Sequence, residues 1–116
     1  MYVEVASKLA VVGGSNSPAY SQAVSMEGAN AVQVDVTIFN NDATTEEFDV
    51  RLEGSNDLQN WEATSNPLAI DFNGGSKGYA TDQAEGIGYA YVRLKYSWVS
   101  GSSTIILAAG INTAEL

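Results

Sequence analysis

Hydrophobic and polar residues alternate along much of this chain. The clearest run covers residues 32–38, in which valine or isoleucine occupies every even position and polar residues occupy the odd ones. Because the side chains of a β-strand point alternately to opposite faces, this run predicts a strand with one dry face and one wet face. The same alternation recurs in residues 48–53 and 92–98 and predicts two further strands of this kind.

The two ends of the chain predict long strands with features of their own. Residues 3–11 are mainly alternating, but Ser7 and Lys8 interrupt the pattern, which favours a bulge there. Residues 104–111 are apolar at nearly every position, which is typical of a strand covered on both faces. Apolar sheet edges invite pairing with another chain, so we expect both segments to be covered.

Short segments rich in Gly, Ser, Asn and Asp separate the apolar runs. These residue types supply positive φ angles or side-chain hydrogen bonds, and they mark turns between strands. The segments are residues 13–18, 40–45, 54–57, 73–78, 85–88 and 100–103. No segment has a helical period of useful length. The sequence therefore predicts an all-β fold, with one antiparallel β-sandwich or jelly roll as a single domain over residues 1–116.

The composition argues against most catalytic chemistry. The chain contains no Cys and no His. It therefore lacks the residues of a disulfide framework, a thiolate metal site, a Ser-His-Asp triad and most zinc or copper sites. We expect no enzyme, no cofactor and no bound metal. A hydrolase built on two carboxylates is the remaining catalytic alternative, but no spacing among the acidic residues singles out a pair.

Charge and hydropathy narrow the expected partners further. Five basic residues against fourteen acidic ones give a net charge of −9, which repels nucleic-acid phosphates and anionic membranes. The first eight residues include Glu4 and lack the continuous apolar run of a signal peptide. The apolar run at residues 105–109 is far shorter than the roughly 20 residues of a membrane helix. We expect a soluble protein without a signal peptide.

One acidic loop is a candidate calcium site, which is the alternative to a protein without bound metal. Asp42, Glu46 and Glu47 supply the hard oxygen ligands that calcium prefers. However, the loops do not reproduce the ligand spacing of an EF-hand. Ordinary turns closed by Asn and Asp side chains are the favoured interpretation.

Two separated motifs resemble those of discoidin-like (F5/8 type C) domains. The motifs are Gly54-Ser-Asn-Asp-Leu-Gln-Asn-Trp61 and Ala90-Tyr-Val-Arg-Leu-Lys95. In that family a strand ends in a Ser-Asn-Asp-Gly-x-x-Trp turn, and a later strand carries an aromatic-Val-Arg-Leu motif. The resemblance covers residues 50–96, with Leu58 standing where the family has Gly. It implies a β-sandwich and does not identify a ligand.

The overall character of the chain resembles that of small structural proteins of phages and virus-like particles. The shared features are an acidic, Cys-free β composition, Gly/Ser/Asn-rich loops and an Ala-Ala-Gly-Ile-Asn-Thr type of ending. This resemblance implies a capsid-decorating or minor virion component. It implies a location in the virion, with an extracellular or cytoplasmic location as the alternative.

The candidate interaction surface is an outer strip, defined as Arg51, Tyr89, Tyr91, Arg93 and Lys95. These residues alternate away from the apolar face of their predicted strands. Tyr and Arg are enriched in protein interfaces. The strip therefore favours a non-enzymatic structural protein that docks on copies of itself, as a homo-oligomer, or on a capsid-like scaffold.

Two alternatives compete with this assembly hypothesis. Cross-strand pairing with Asp35, Asp49 and Glu53 would explain the basic residues of the strip without a partner. The other alternative is a small carbohydrate-binding module, in which exposed aromatic rings stack on sugars. Its candidate rings are those of Trp61, Tyr79, Tyr89 and Tyr91. For Trp61 we nevertheless favour a core position that closes its turn, and Trp98 shares the inward phase of its strand.

Overall fold

In a computed structural model that describes residues 1–64 and 68–116, the chain forms strands joined by turns. The strands are β1 (Tyr2–Val12), β2 (Ala19–Tyr20), β3 (Val24–Ser25), β4 (Ala31–Asn41), β5 (Phe48–Ser55), β6 (Glu62–Ala63), β7 (Ala69–Phe72), β8 (Gly78–Glu85), β9 (Tyr91–Trp98) and β10 (Thr104–Ala114). Within the described residues there is no helix of the length and apolarity that crossing a membrane requires.

The strands form two antiparallel sheets. The four-strand sheet has the order β1-β10-β4-β8, and the six-strand sheet has the order β2-β9-β5-β6, with β3 paired to β9 and β7 paired to β5. Buried side chains from both sheets form one hydrophobic core. The predicted antiparallel β-sandwich is therefore confirmed.

Alternation in the sequence gives the correct phase for the central strands. Val34 on β4, Val50 on β5 and Leu94 on β9 are completely buried. Trp98 is also in the core, where its ring meets Phe48 edge to face at a centroid distance of 5.1 Å. Its indole N–H donates a hydrogen bond to a main-chain carbonyl of β1 at 2.9 Å, which satisfies the buried polar atom.

The predicted bulge near Ser7 and Lys8 lies in β1. The register between β1 and β10 shifts between Ala6 and Leu9, and Lys8 has a φ of 51°. A bulge in an edge strand also hinders pairing with a foreign strand. Strand β10 lies between β1 and β4, so its backbone is paired on both sides. The side chains of Thr104, Ile106 and Ala108 are only half-buried, so the prediction that both faces of this strand are covered was wrong.

Candidate functional site

A turn closed by side chains follows β5. The Ser55 hydroxyl oxygen accepts hydrogen bonds from the backbone N–H groups of Asp57 at 3.2 Å and Leu58 at 2.9 Å. The Asp57 carboxylate accepts from the N–H groups of Gln59 at 2.9 Å and Asn60 at 2.8 Å. Ser and Asp are suited to this role because their short side chains reach the backbone of the next residues. Two side chains thus fix the whole turn.

These hydrogen bonds also set the charge of the turn. The backbone N–H groups of Asn60 and Gln59 hold the pKa of the Asp57 carboxyl well below its usual range. The Asn60 side-chain amide donates to the same carboxylate at 2.6 Å. Asp57 is therefore a fixed anion over the whole physiological pH range.

The turn is attached to the loop that precedes β9. The Asn56 side-chain oxygen accepts a hydrogen bond from the N–H of Ala90 at 2.9 Å. The Tyr89 ring lies directly over Gly54, where an added Cβ would overlap the ring. Gly54 is therefore required by the close approach of Tyr89. These contacts bring together the two motifs of the discoidin-like resemblance.

A cleft of about 280 Å³ lies between this turn and Tyr89. Its lining consists of residues 55–57 and 60–62 together with Tyr89. The Tyr89 hydroxyl donates a hydrogen bond to the Glu62 carboxylate, which orients the ring and raises the pKa of Tyr89. The cleft therefore combines two aromatic rings with hydroxyl, amide and carboxylate groups.

Trp61 does not lie in the core, so that prediction was wrong. Its ring is half-buried on the outer side of the six-strand sheet, with the Arg93 guanidinium 4.2 Å from the ring centroid. The same guanidinium lies 4.1 Å from the centroid of the Tyr20 ring. A guanidinium has weakly hydrated planar faces that aromatic rings cover favourably. Trp61 thus packs on a cation at the surface and borders the cleft.

Most of the outer strip lies together, as the alternation predicts. Arg51, Tyr91, Arg93 and Lys95 are half-buried, at alternate positions of β5 and β9, and Arg51 lies directly opposite Lys95. Tyr89 precedes β9 and lines the cleft instead. The structure therefore separates one member of the strip from the other four.

Ion pairs within the six-strand sheet account for the two arginines of the strip. Arg93 pairs with Glu53, directly opposite on β5, at 2.9 Å. Arg51 pairs with Asp49 and with Asp71 on β7, each at 3.2 Å. The cross-strand alternative is thus correct for Glu53. Asp49 pairs with Arg51 along the same strand, and the carboxylate that pairs with Arg51 across strands is that of Asp71.

Asp35 and Lys95 do not form the ion pairs that the cross-strand hypothesis predicts. Asp35 lies on β4 in the four-strand sheet and cannot pair with the strip. Lys95 forms no ion pair with any of the described residues. It is the one basic residue of the strip left without an anionic partner in that part of the chain.

Three acidic side chains cluster at the edge of the six-strand sheet. Carboxylate oxygens of Glu47, Asp49 and Asp71 lie within 4.8 Å of one another. Burial and a hydrogen bond with Asp71 outweigh the attraction of Arg51 and raise the pKa of Asp49 to about 6. Arg51 bridges two of these carboxylates, which gives the cluster a structural role.

The loop considered for calcium uses its carboxylates in turn hydrogen bonds. Asp42 accepts from the N–H of Thr104 at 2.7 Å, and Glu46 accepts from the N–H groups of Thr44 and Thr45. Of the three proposed donors, only Glu47 belongs to the acidic cluster. These bonds agree with the favoured interpretation as ordinary turns.

The four aromatic rings of the carbohydrate-binding alternative occupy different places. Trp61 and Tyr89 line the cleft, and Tyr91 lies on the outer face of β9. Tyr79 is on β8 of the other sheet. Tyr20 could not be predicted from the sequence, because its place beside Arg93 depends on the pairing of a two-residue strand with β9.

No family model and no curated protein matches this chain. Among solved structures, it is similar to a part of the structure of Clostridium thermocellum endo-1,4-β-D-xylanase 10B that comprises CBM22-1 and GH10 modules complexed with xylohexaose. The TM-score is 0.56 at 14% sequence identity, and the match covers 99% of this chain but only 26% of that chain. The similarity shows the β-sandwich fold, which is compatible with the discoidin-like resemblance. The resemblance to phage proteins finds no support.

Proposed function

We propose that this protein is a non-catalytic carbohydrate-binding module that binds a neutral sugar chain in the cleft beside Trp61. The observation that carries the proposal is the composition of that cleft, with the Trp61 and Tyr89 rings beside fixed polar groups of the turn. A sugar ring has an apolar C–H face and a rim of hydroxyls. Such a ligand suits a site that pairs aromatic surface with a few placed hydrogen-bonding groups.

The cleft is ordered before any ligand arrives. Arg93 stacks on Trp61 and is itself held by Glu53, so the indole has little freedom to lose. Tyr89 is fixed by its contact with Gly54 and by its hydrogen bond to Glu62. Groups that are already immobilised lower the entropic cost of binding.

The charge of the cleft favours a neutral ligand. Asp57 is ionised by its turn hydrogen bonds, and Glu62 adds a second carboxylate to the lining. The net charge of the whole chain is −9. A sulfated or uronic acid polymer would be repelled, whereas carboxylates accept hydrogen bonds from the hydroxyls of a neutral sugar.

The Asp57 carboxylate also argues for binding rather than hydrolysis. A glycoside hydrolase needs one carboxyl with a raised pKa to protonate the leaving oxygen. Asp57 has the opposite shift, because its turn hydrogen bonds stabilise the anion. The similarity of the fold to a solved structure that contains a CBM22 module with xylohexaose also supports the binding role.

The assembly role has less support than the binding role. Its surface depends on the cations of the outer strip, but Arg51 and Arg93 already have anionic partners within their own sheet. A protein partner, a homo-oligomer and a virion location remain predictions from the sequence.

Tryptophan fluorescence with xylohexaose tests the proposal. The chain has two tryptophans, Trp98 in the core and Trp61 at the cleft, so a ligand in the cleft should alter the emission of Trp61. We expect saturable binding by the wild type, and in Trp61→Ala the affinity of the cleft should fall at least about tenfold, measured calorimetrically. Gln22→Ala, an exposed change outside the cleft, is the control.

Two results would contradict the proposal. One is equal affinity of the wild type and Trp61→Ala for xylohexaose. The other is an absence of binding to xylohexaose, cellohexaose and mannohexaose alike.

A further inference from the structure

The outer face of the four-strand sheet carries a row of three exposed amides. Gln33 on β4 lies directly opposite Asn112 on β10 and Gln83 on β8. Among the described residues, none of these three side chains has a hydrogen-bond partner. Directly opposite residues have Cβ atoms about 5 Å apart, and each amide offers both donors and acceptors. The row is therefore a line of unused hydrogen-bonding groups.

The Tyr2 ring lies over Gly110 on the same face. Tyr2 is opposite Asn112 on β10, and a Cβ added at Gly110 would overlap its ring and hydroxyl. The hydroxyl donates a hydrogen bond to Asp35 on β4 at 3.1 Å, so the side chain reaches across β10. The residue is still 57% exposed. Gly110 and Asp35 thus hold an aromatic ring open to solvent.

The rest of the face has a floor of small side chains and a second ring at its far edge. Ala108, Thr37 and Tyr79 lie in one row across β10, β4 and β8, and Tyr79 is 66% exposed. At the amide end, the three amides and Leu116 contribute to a groove of about 190 Å³. The surface therefore presents two exposed tyrosines and three amides around small side chains, with a groove at its amide end.

We propose that this tyrosine–amide face, defined as Tyr2, Gln33, Tyr79, Gln83 and Asn112, is a second binding site for a neutral polysaccharide chain. Rings accessible on the surface fit the C–H faces of sugars, and the free amides fit their hydroxyls. Lys8 on β1 lies 5.7 Å from the centroid of the Phe39 ring on β4, outside the paired rows. The paired rows that cross this face contain the carboxylates of Glu4, Asp35 and Glu85 and no Lys or Arg. Their charge is complementary to neither an acidic polysaccharide nor an acidic protein surface.

This second site gives the protein a property that the cleft alone does not provide. The cleft is built on the six-strand sheet and the tyrosine–amide face belongs to the other sheet, so the two sites lie on different layers of the sandwich. One molecule can then hold two sugar chains, or two segments of one chain. Long chains will be bound more tightly than hexasaccharides, because the second contact is intramolecular.

The side-chain amide resonances of ¹⁵N-labelled protein test this site without relying on affinity alone. We expect xylohexaose to shift the NH₂ signals of Gln33, Gln83 and Asn112 in both the wild type and Trp61→Ala. In the double variant Gln33→Ala/Gln83→Ala, binding at this face should weaken at least about tenfold, as reported by Asn112. The Gln22 side-chain signal is the internal control.

The outcomes separate this site from the cleft. If xylohexaose at saturation moves the Trp61 indole signal but none of the three amides, the second site is wrong and the proposed function stands. If the amides move while Trp61 does not, the second site stands and the cleft is wrong. The Trp98 indole signal, fixed by its core hydrogen bond, verifies that each variant is folded.

Discussion

The outer faces of the two sheets use their polar groups in different ways. On the six-strand sheet, Arg93 is paired with Glu53 and stacked against aromatic rings. On the four-strand sheet, Gln33, Gln83 and Asn112 are exposed and without partners among the described residues. A group that already has a partner must lose it before it can bind a ligand, whereas an unpaired group exchanges only water. The difference separates groups that stabilise the fold from groups available for recognition.

This comparison also explains why the outer strip is a weak basis for an assembly role. Its residues face outward as the alternation predicts, but facing outward does not make a charge available. Arg51 is held by carboxylates on its own strand and on β7. Only the pairing of strands, which the sequence does not state, reveals those partners.

Matched isosteric changes on the two faces give the largest predicted difference. Glu53→Gln should destabilise the protein by about 1–2 kcal/mol, because it leaves the half-buried Arg93 without an anion. Asp35→Asn on the other sheet should change stability by less than about 0.5 kcal/mol, because its exposed bond to Tyr2 can be kept by an amide oxygen. Urea denaturation measures both. Equal losses of stability from Glu53→Gln and Asp35→Asn would mean that polar groups on the two outer faces contribute alike to the stability of the fold.

Asp49→Asn should stabilise the protein, whereas Glu53→Gln destabilises it. Burial and the neighbouring Asp71 make the charged form of Asp49 unfavourable in the folded state. Its folded pKa of about 6 lies above the ordinary value of 3.8. The folded state therefore binds more protons than the unfolded state between those values, and stability falls as pH rises from about 4 to 6. The variant should be more stable than the wild type at pH 7 by about 1 kcal/mol, discounted for solvent exposure.

Thermal unfolding at pH 4 and pH 7 checks this prediction. The variant should be more stable than the wild type by a smaller margin at pH 4 than at pH 7, because the Asp49 carboxyl of the folded wild type is protonated at pH 4. Arg51 keeps Asp71 as a partner in the variant, so the loss of one ion pair is partly offset. An advantage that grew toward acid pH would mean that Asp49 has a lowered pKa instead.

Local alternation in the sequence is sufficient to predict much of the fold. The phase of β4, β5 and β9 follows from a period of two, because one face of each strand must be dry. The core position of Trp98 follows from the same phase. The bulge at Lys8 is likewise visible as a break in the pattern.

The candidate sites could not be predicted in this way, because they depend on contacts between distant segments. The amides of the tyrosine–amide face lie in one row only through the register of β4 with β8 and β10. Trp61 follows a turn rather than a strand, so alternation assigns it no face. Its position is set by Arg93, which stacks on it from β9. The pairing of strands within each sheet, rather than composition, creates both surfaces.

The smallest predicted effect concerns Leu58, in the turn that borders the cleft. Leu58 has a φ of 65°, in the left-handed region where a side chain is strained, and discoidin-like turns have Gly there. Leu58→Gly should stabilise the protein by about 0.5 kcal/mol, because relief of strain slightly exceeds the extra entropy of glycine in the unfolded chain. Leu58→Ala keeps the Cβ and should give no such gain. If the urea midpoint of Leu58→Ala equals or exceeds that of Leu58→Gly, backbone strain at position 58 does not lower the stability of the protein.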